Sequence, residues 1–480
     1  MTRKQKIGLI LGPVLFLLIL LFVPVTGGVT EVGKKVLASM AWMIVWWSTQ
    51  PVTLGQTALL PVLLFPILGL TDESVGISAT AGYVNVAVLL TTSVFWLGSA
   101  IEKWNLHKRI AFTILSAVGT KPLSIMMAFA AVTSVISMWM SNTASTAMMI
   151  PIVSALSISV AEYDKEYAKR LGAALMLTVA FSATNGGTAT PIGNNANITG
   201  FGIIHEMTGV SIDFPTWMML AVPICAMMVV VSTLLIYYTM GLHKAKIKID
   251  RQVITDELHK LGKMERGEKQ VLIVLSLAIV SWLTKTLWTS YLPFISDYMI
   301  GGIAAAILFL WPVDWKTNEP TLDFKYALSH TSWDCVFLIG GSLVLGEAFA
   351  KSGLTDWIAH LMSGIASMPE FAAIVIMAVI ASLLTELGSN IVVAAVFIPI
   401  AYSVAKAGGH NSMLAMVNII FACGFAYMLP QGTPPNALAA GSGLVENQQM
   451  LKTGTIVKIV ILILYPIMLF ALKAIGLFQI

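Results

Sequence analysis

The chain has 480 residues, of which 57% are hydrophobic and only 11% charged, against roughly 25% charged residues in an ordinary soluble domain. A soluble fold of this length needs polar side chains to hold its surface in water, so a soluble enzyme is excluded and lipid must be the solvent for most of the chain. The 28 Lys+Arg and 24 Asp+Glu leave a formal charge of +4, too small and too scattered for a nucleic-acid footprint.

A helix needs about 20 apolar residues to cross the hydrocarbon core, and eleven such windows occur in chain order. The first, 7–25, stands behind the basic start Arg3, Lys4 and Lys6. No small-residue cleavage site follows it, so it reads as a retained helix and not as a signal peptide. Spans at 34–48, 52–70 and 85–101 precede a long apolar region, 122–160, and then spans at 171–204 and 214–241. The stretch 243–270 changes character, with eight Lys/Arg against five Asp/Glu, and divides two hydrophobic halves. It reads as a cytoplasmic connection with an amphipathic helix along the membrane surface. Spans at 271–289, 296–312 and 334–350 follow, then a second long region, 370–407, and spans at 412–440 and 455–476.

Placing the N-terminus in the cytoplasm brings three basic segments to that side: Lys103, Lys108, Arg109 and Lys121; Lys165, Lys169 and Arg170; and the linker. An odd number of spans then puts the C-terminus outside, in a multi-pass protein of the cell inner (plasma) membrane. Cys225, Cys335 and Cys423 form no CxxC pair and read as core residues.

The strongest signal is self-similarity between the halves. Ser141-Asn142-Thr143 opens SNTASTAMMIPI, and Ser389-Asn390-Ile391 opens SNIVVAAVFIPI, each Ser ten residues before a proline, Pro151 and Pro399. Each motif sits inside an apolar run of nearly 40 residues, too long for one crossing. Both runs therefore read as re-entrant hairpins with a polar tip near the midplane. Downstream of each comes a Gly/Pro/Asn-rich break, 186–197 and 429–436, in which Gly193 matches Gly432 and Asn197 matches Asn436. By the orientation above, the two hairpins enter from opposite sides, which is an inverted-topology repeat. In lipid a helix breaks only where the break is buried in protein or lines a wet cavity, so these four interruptions are expected at one site. Helix N-termini there suit a carboxylate, and exposed carbonyls suit a hard cation.

No Lys, Arg or His falls in either tip or either broken span. Glu386, three residues before Ser389, is either a coupling carboxylate or a paired structural residue. H-E-x-x-H, G-x-S-x-G and P-loop motifs are absent from the sequence, and neither Ser141 nor Ser389 has a base in its hairpin, so the chain does not read as an enzyme.

On these motifs the chain resembles the divalent anion/sodium symporter family, whose members carry dicarboxylates, citrate or sulfate. The likeness runs over essentially the full length and rests on the paired Ser-Asn motifs. It implies an all-α polytopic membrane protein with 11 transmembrane helices plus two re-entrant helical hairpins, and a homodimer working by an elevator mechanism. Under it, 1–121 are scaffold helices of the first half. Residues 122–241 are the first hairpin, broken helix and following span, 242–270 the cytoplasmic linker, 271–368 the scaffold helices of the second half, and 369–480 the second hairpin, broken helix and last span.

The resemblance also assigns residues. Substrate falls to Ser141, Asn142, Thr143, Ser389, Asn390, Thr433 and Pro434, with Na+ as coupling ion and no other cofactor or metal. One cation site falls on Ser137, Ser141, Asn142 and Gly193, the other on Thr385, Gly388, Asn390 and Gly432. Two departures alter the expectation. Ile391 replaces the family's threonine and makes one wall of the substrate site apolar, and Asn194-Asn195-Ala196 replaces a small hydroxyl residue followed by Pro-Pro, placing Asn194 toward substrate. The expected function is a secondary transporter of C4/C5 dicarboxylates (succinate, malate, fumarate, 2-oxoglutarate), by exchange or by sodium symport. Alternatives are a citrate, tartrate or sulfate carrier or, in other classes, a membrane-embedded enzyme or a passive channel.

Overall fold

The computed structural model describes residues 1–25, 29–117, 119–244 and 252–478. Linker residues 245–251 and the last two positions of the expected outer terminus, 479–480, lie outside the described residues. Every expected span is helical. Among the described residues seven helices are long and apolar enough to cross a bilayer whole. Shorter apolar helices, Leu54–Ile67, Asp297–Leu310 and Ser412–Cys423 among them, occupy further spans. The one sheet among the described residues is a two-stranded ribbon, Pro312–Asp314 with Glu319–Pro320, so the chain is an all-α polytopic membrane protein.

Both long apolar regions fold as helical hairpins. The first has arms Pro122–Ser137 and Asn142–Ala161, the second Glu370–Leu384 and Asn390–Gly408. Each is followed by an interrupted helix: Lys165–Thr188 with Asn195–Thr208, and Ser412–Cys423 with Pro434–Gly441. A long helix then closes each half, Phe214–Thr239 and Asn447–Ala474.

The chain forms two compact units, whose boundaries fall in both helix interruptions. The first contains residues 1–91, 195–212 and 332–424. Its opening helix, Arg3–Phe22, packs along Glu31–Thr49. Gly12 leaves room for the rings of Trp42 and Trp46, where a Cβ would overlap both indoles, and Phe16 lies 5.3 Å from Trp42. Both tryptophans are partly buried and pack against the core of this unit. Glu31–Thr49 is capped at its start by Thr30, whose hydroxyl accepts from Gly33 N at 2.8 Å, and ends on Gln50 in the left-handed region at φ 49°. Trp333–Lys351 packs on Asn195–Thr208, with Gly202 seated on Leu343 and Ile203 on Gly346.

The second unit contains residues 92–194, 213–331 and 425–480. Its centre is Lys165–Thr188, buried at every position from Leu171 to Thr188. Both arms of the first hairpin, Phe214–Thr239 and Pro434–Gly441 pack around it, which is why it is apolar or small all round. At its start, Lys169 meets Glu446 at 2.8 Å with both side chains more than half exposed. The carboxylate raises the pKa of the ammonium, but an exposed pair adds little stability.

The linker's helix, Gln252–Lys260, lies against Leu106–Ser116. Just beyond it, the partly buried Arg109 pairs with the buried Glu268 at 2.5 Å. Arg109 also donates to Gly262 O at 3.0 Å and Leu261 O at 3.2 Å, and Glu268 accepts from Glu265 N at 3.2 Å. Removing one partner strands a buried charge, at a cost of about 3–5 kcal/mol. Arg109→Ala is therefore expected to lower the thermal midpoint in detergent by more than Lys169→Ala does; equal midpoints would refute the argument.

Candidate functional site

In the first tip, Asn142–Ala161 begins at Ser141, whose backbone is extended and whose hydroxyl accepts from Ala144 N at 3.1 Å. The side chains of Ser145 and Thr146 return to the carbonyls of Ser141 and Asn142, at 3.0 and 2.8 Å, and hold the first turn. Ser141 and Thr143 are exposed. A helix N-terminus flanked by two exposed hydroxyls is a ready anion-binding end.

Asn142 points the other way. Its Oδ1 lies 2.5 Å from Ser137 Oγ, and the same end of the amide is 3.2 Å from the Ala183 carbonyl and 3.0 Å from the Gly193 carbonyl. The one proton of Ser137 goes to the Ala183 carbonyl at 2.7 Å. Four oxygens thus converge with no donor among them for Asn142. Two arrangements resolve this: the amide turns so that its two N–H groups face the three oxygens and donate to them, or a cation sits among the oxygens. Glycine is required on the facing wall, because a Cβ on Gly187 would overlap the Asn142 amide. The break itself is tied to the tip: Thr190 Oγ1 donates to Met138 O at 2.6 Å and accepts from Gly193 N at 3.0 Å.

The second tip, in the other unit, repeats the pattern. Thr385 stands five residues before Asn390, as Ser137 does before Asn142. Its hydroxyl lies 2.5 Å from Asn390 Oδ1 and 2.9 Å from Cys423 O, one proton between two acceptors. Gly388 is open, with its nearest neighbour Leu384 O at 3.8 Å from where a Cβ would stand. Ser389 and Asn390 are half-buried. Ile391 is buried in the core beside Val392, and Glu386 is buried next to the tip.

Of the remaining expected residues, Thr433 caps Pro434–Gly441 by accepting from Asn436 N at 3.3 Å. Pro434 is exposed and Gly432 buried. Asn194 is buried, its amide 3.5 Å from Thr188 Oγ1. The structure thus brings Ser137, Asn142 and Gly193 together in one cluster, and Thr385 and Asn390 in the other.

Further residues beyond the expected site set carry the geometry. The carbonyls of Ala183 and Cys423 complete the two clusters, and a carbonyl leaves no mark in the residue type. Asn436 Nδ2 donates to Ala426 O at 3.0 Å and Leu429 O at 3.2 Å, pairing two carbonyls freed by the second break. Leucine there leaves the Ala426 carbonyl unpaired, at about 1–3 kcal/mol, while the Leu429 carbonyl still accepts from Gly432 N at 3.1 Å. Asn436→Leu is expected to lower both the thermal midpoint and the yield of folded protein, and an unchanged midpoint would rule out the staple. Lys458, buried on the last helix, was visible as a lone lysine in an apolar run. It stands one turn beyond Gly454, against which Tyr427 O is seated, and a buried intramembrane charge belongs among the functional candidates.

An all-α polytopic fold with paired hairpins, broken helices and two matched oxygen clusters defines a membrane carrier, not an enzyme. The model of the family described as sodium:sulfate symporter transmembrane region matches residues 4–475, and the chain belongs to that family. It is 32% identical to the sodium-dependent dicarboxylate transporter SdcS of Staphylococcus saprophyticus, over 96% of this chain and 90% of that one. It is equally 32% identical to SdcS of Staphylococcus aureus strain USA300, over 97% and 92%. The crystal structure of the Alcanivorax borkumensis YdaH transporter shares the fold at TM-score 0.55 and 11% identity, covering 82% of this chain and 87% of that one.

Proposed function

We propose that the protein is a sodium-coupled symporter of C4/C5 dicarboxylates such as succinate, malate, fumarate or 2-oxoglutarate. The observation that carries this reading is the pair of oxygen clusters. One joins Ser137 and Asn142 to the carbonyls of Ala183 and Gly193, and the other joins Thr385 and Asn390 to the carbonyl of Cys423. Oxygen donors without a positive side chain suit Na+, and relatives named as sodium-dependent dicarboxylate transporters support the same choice. Ser141, Asn142 and Thr143 serve substrate carboxylates in one unit together with Thr433 and Pro434, and Ser389 and Asn390 serve them in the other. Ile391 supplies an apolar surface for the carbon chain, and Gly388 completes the second cation site through its carbonyl.

In this reading the carrier is a homodimer of the inner membrane, with its N-terminus in the cytoplasm and its C-terminus outside. Each protomer works by alternating access as a hairpin-bearing transport domain slides against a scaffold, elevator fashion. Exchange of one dicarboxylate for another is the second reading, favoured by the burial of Asn194 in the segment that replaces the family's proline pair.

Reconstituted in liposomes, the protein is expected to take up labelled succinate under an inward sodium gradient into empty vesicles. Uptake only without sodium and against trapped dicarboxylate would replace symport by exchange, and silence in both arms would move the substrate to citrate, tartrate or sulfate.

A further inference from the structure

Three polar side chains on Lys165–Thr188 take no part in the site. Thr178, Ser182 and Asn185 follow at i, i+4 and i+7, within an arc of about 60° at 100° per residue. All three are buried, at 0%, 0% and 1% exposure. Among the described residues, Thr178 Oγ1, Ser182 Oγ and Asn185 Nδ2 have no hydrogen-bond partner in the protein. Their helical neighbours behave differently: the hydroxyls of Thr184 and Thr188 return to the carbonyls of Ala180 and Thr184, at 3.2 and 3.1 Å. Asn185 Oδ1 already accepts from Tyr427 OH at 2.5 Å, which leaves its NH2 as the end to be satisfied.

The walls of this face are known. On one flank Ser134 Oγ reaches Ser182 O at 3.2 Å. On the other the ring of Tyr427 lies 5.0 Å from that of Phe181. Ala183 and Gly187, which meet the first tip, stand at least about 100° round the helix from each of the three, outside their arc. Toward the start of the helix the same arc is Leu171 and Ala174, both buried, which closes it at that end.

Three unpartnered polar groups in line are costly to leave in a dry seam. We propose that Thr178, Ser182 and Asn185 form a built site for ordered water. The water accepts from the Asn185 amide and exchanges hydrogen bonds with the two hydroxyls, two to four bonds per molecule being the usual complement of a buried water. The apolar stretch at Leu171 and Ala174 makes this a trapped file and not a conducting path. The water lies against the Asn185–Tyr427 bond and gives the end of the helix before its break a partner that can reorganise. The site does not depend on which ion or anion is carried.

Radiolytic hydroxyl-radical footprinting of the full-length protein in nanodiscs tests the proposal, because radicals generated from bound water label buried rings beside it. Phe181 and Tyr427, although fully buried, are expected to oxidise at least tenfold faster than the equally buried Phe129 and Phe421. The T178V/S182A/N185L variant is expected to bring them down to the rate of those controls. Oxidation of wild-type Phe181 and Tyr427 at the control rate overturns the site without recourse to any variant, and so does fast labelling that persists in a folded triple variant.

Discussion

Asn142→Ala is expected to lower succinate uptake at limiting sodium about 100-fold in protein that still elutes as a single folded species. Asn142 is the one side chain that belongs both to the exposed helix end and to the oxygen cluster formed with Ser137 and the carbonyls of Ala183 and Gly193. On the proposed reading, its loss removes a cation ligand and changes the end that meets the carboxylate. A 100-fold change corresponds to about 2.7 kcal/mol, within reach of one lost hydrogen bond to a charged group together with one lost metal ligand.

Two further substitutions separate those contributions. Ser137→Ala keeps the helix end intact, so its defect is expected to recover at high sodium. Asn142→Asp adds a negative charge inside the cluster, which strengthens attraction for a cation and repels a dianion. Its apparent sodium affinity should rise while its succinate affinity falls. Uptake by Asn142→Ala within threefold of wild type, in folded protein, would remove Asn142 from the machinery.

The sequence showed much of this because lipid imposes a strict grammar. Apolar length gives the spans, and polar or helix-breaking residues inside apolar runs mark the interruptions, so the Ser-Asn tips and the breaks at Gly193 and Gly432 were legible as residue types. The family resemblance supplied Ser137 and Thr385, each of which stands five residues before an asparagine. What stayed hidden is carried by groups that every residue has or by contacts across the chain. Ala183 and Cys423 contribute carbonyls, and nothing about alanine or cysteine announces a ligand. Tyr427 and Asn185 lie far apart in sequence and meet only after folding. The compact units exchange halves of the two broken helices, an arrangement that no linear division of the chain expresses.

Gly193→Ala is expected to reduce transport at least 100-fold and to lower the thermal midpoint, whereas Gly388→Ala is expected to remain within about threefold of wild type. Both positions are assigned to cation sites, and both substitutions keep the backbone carbonyl, so coordination chemistry alone predicts equal effects. Space predicts the opposite. A Cβ on Gly193 would stand 2.5 Å from the Gly187 carbonyl oxygen and 2.7 Å from that of Ser137. Both are backbone atoms, one on the broken helix and one on the hairpin arm, and neither gives way like the end of a flexible side chain. A methyl there must push the break away from the tip. The cost of overpacking is about 1–3 kcal/mol, and the displacement falls on the carbonyl that faces Asn142 at 3.0 Å. At Gly388 the nearest atom is 3.8 Å away, an ordinary van der Waals contact. Uptake and thermal unfolding measured on the two variants side by side decide the matter. If Gly388→Ala fails as badly as Gly193→Ala, flexibility of the tip and not the close approach of break to hairpin is what glycine supplies.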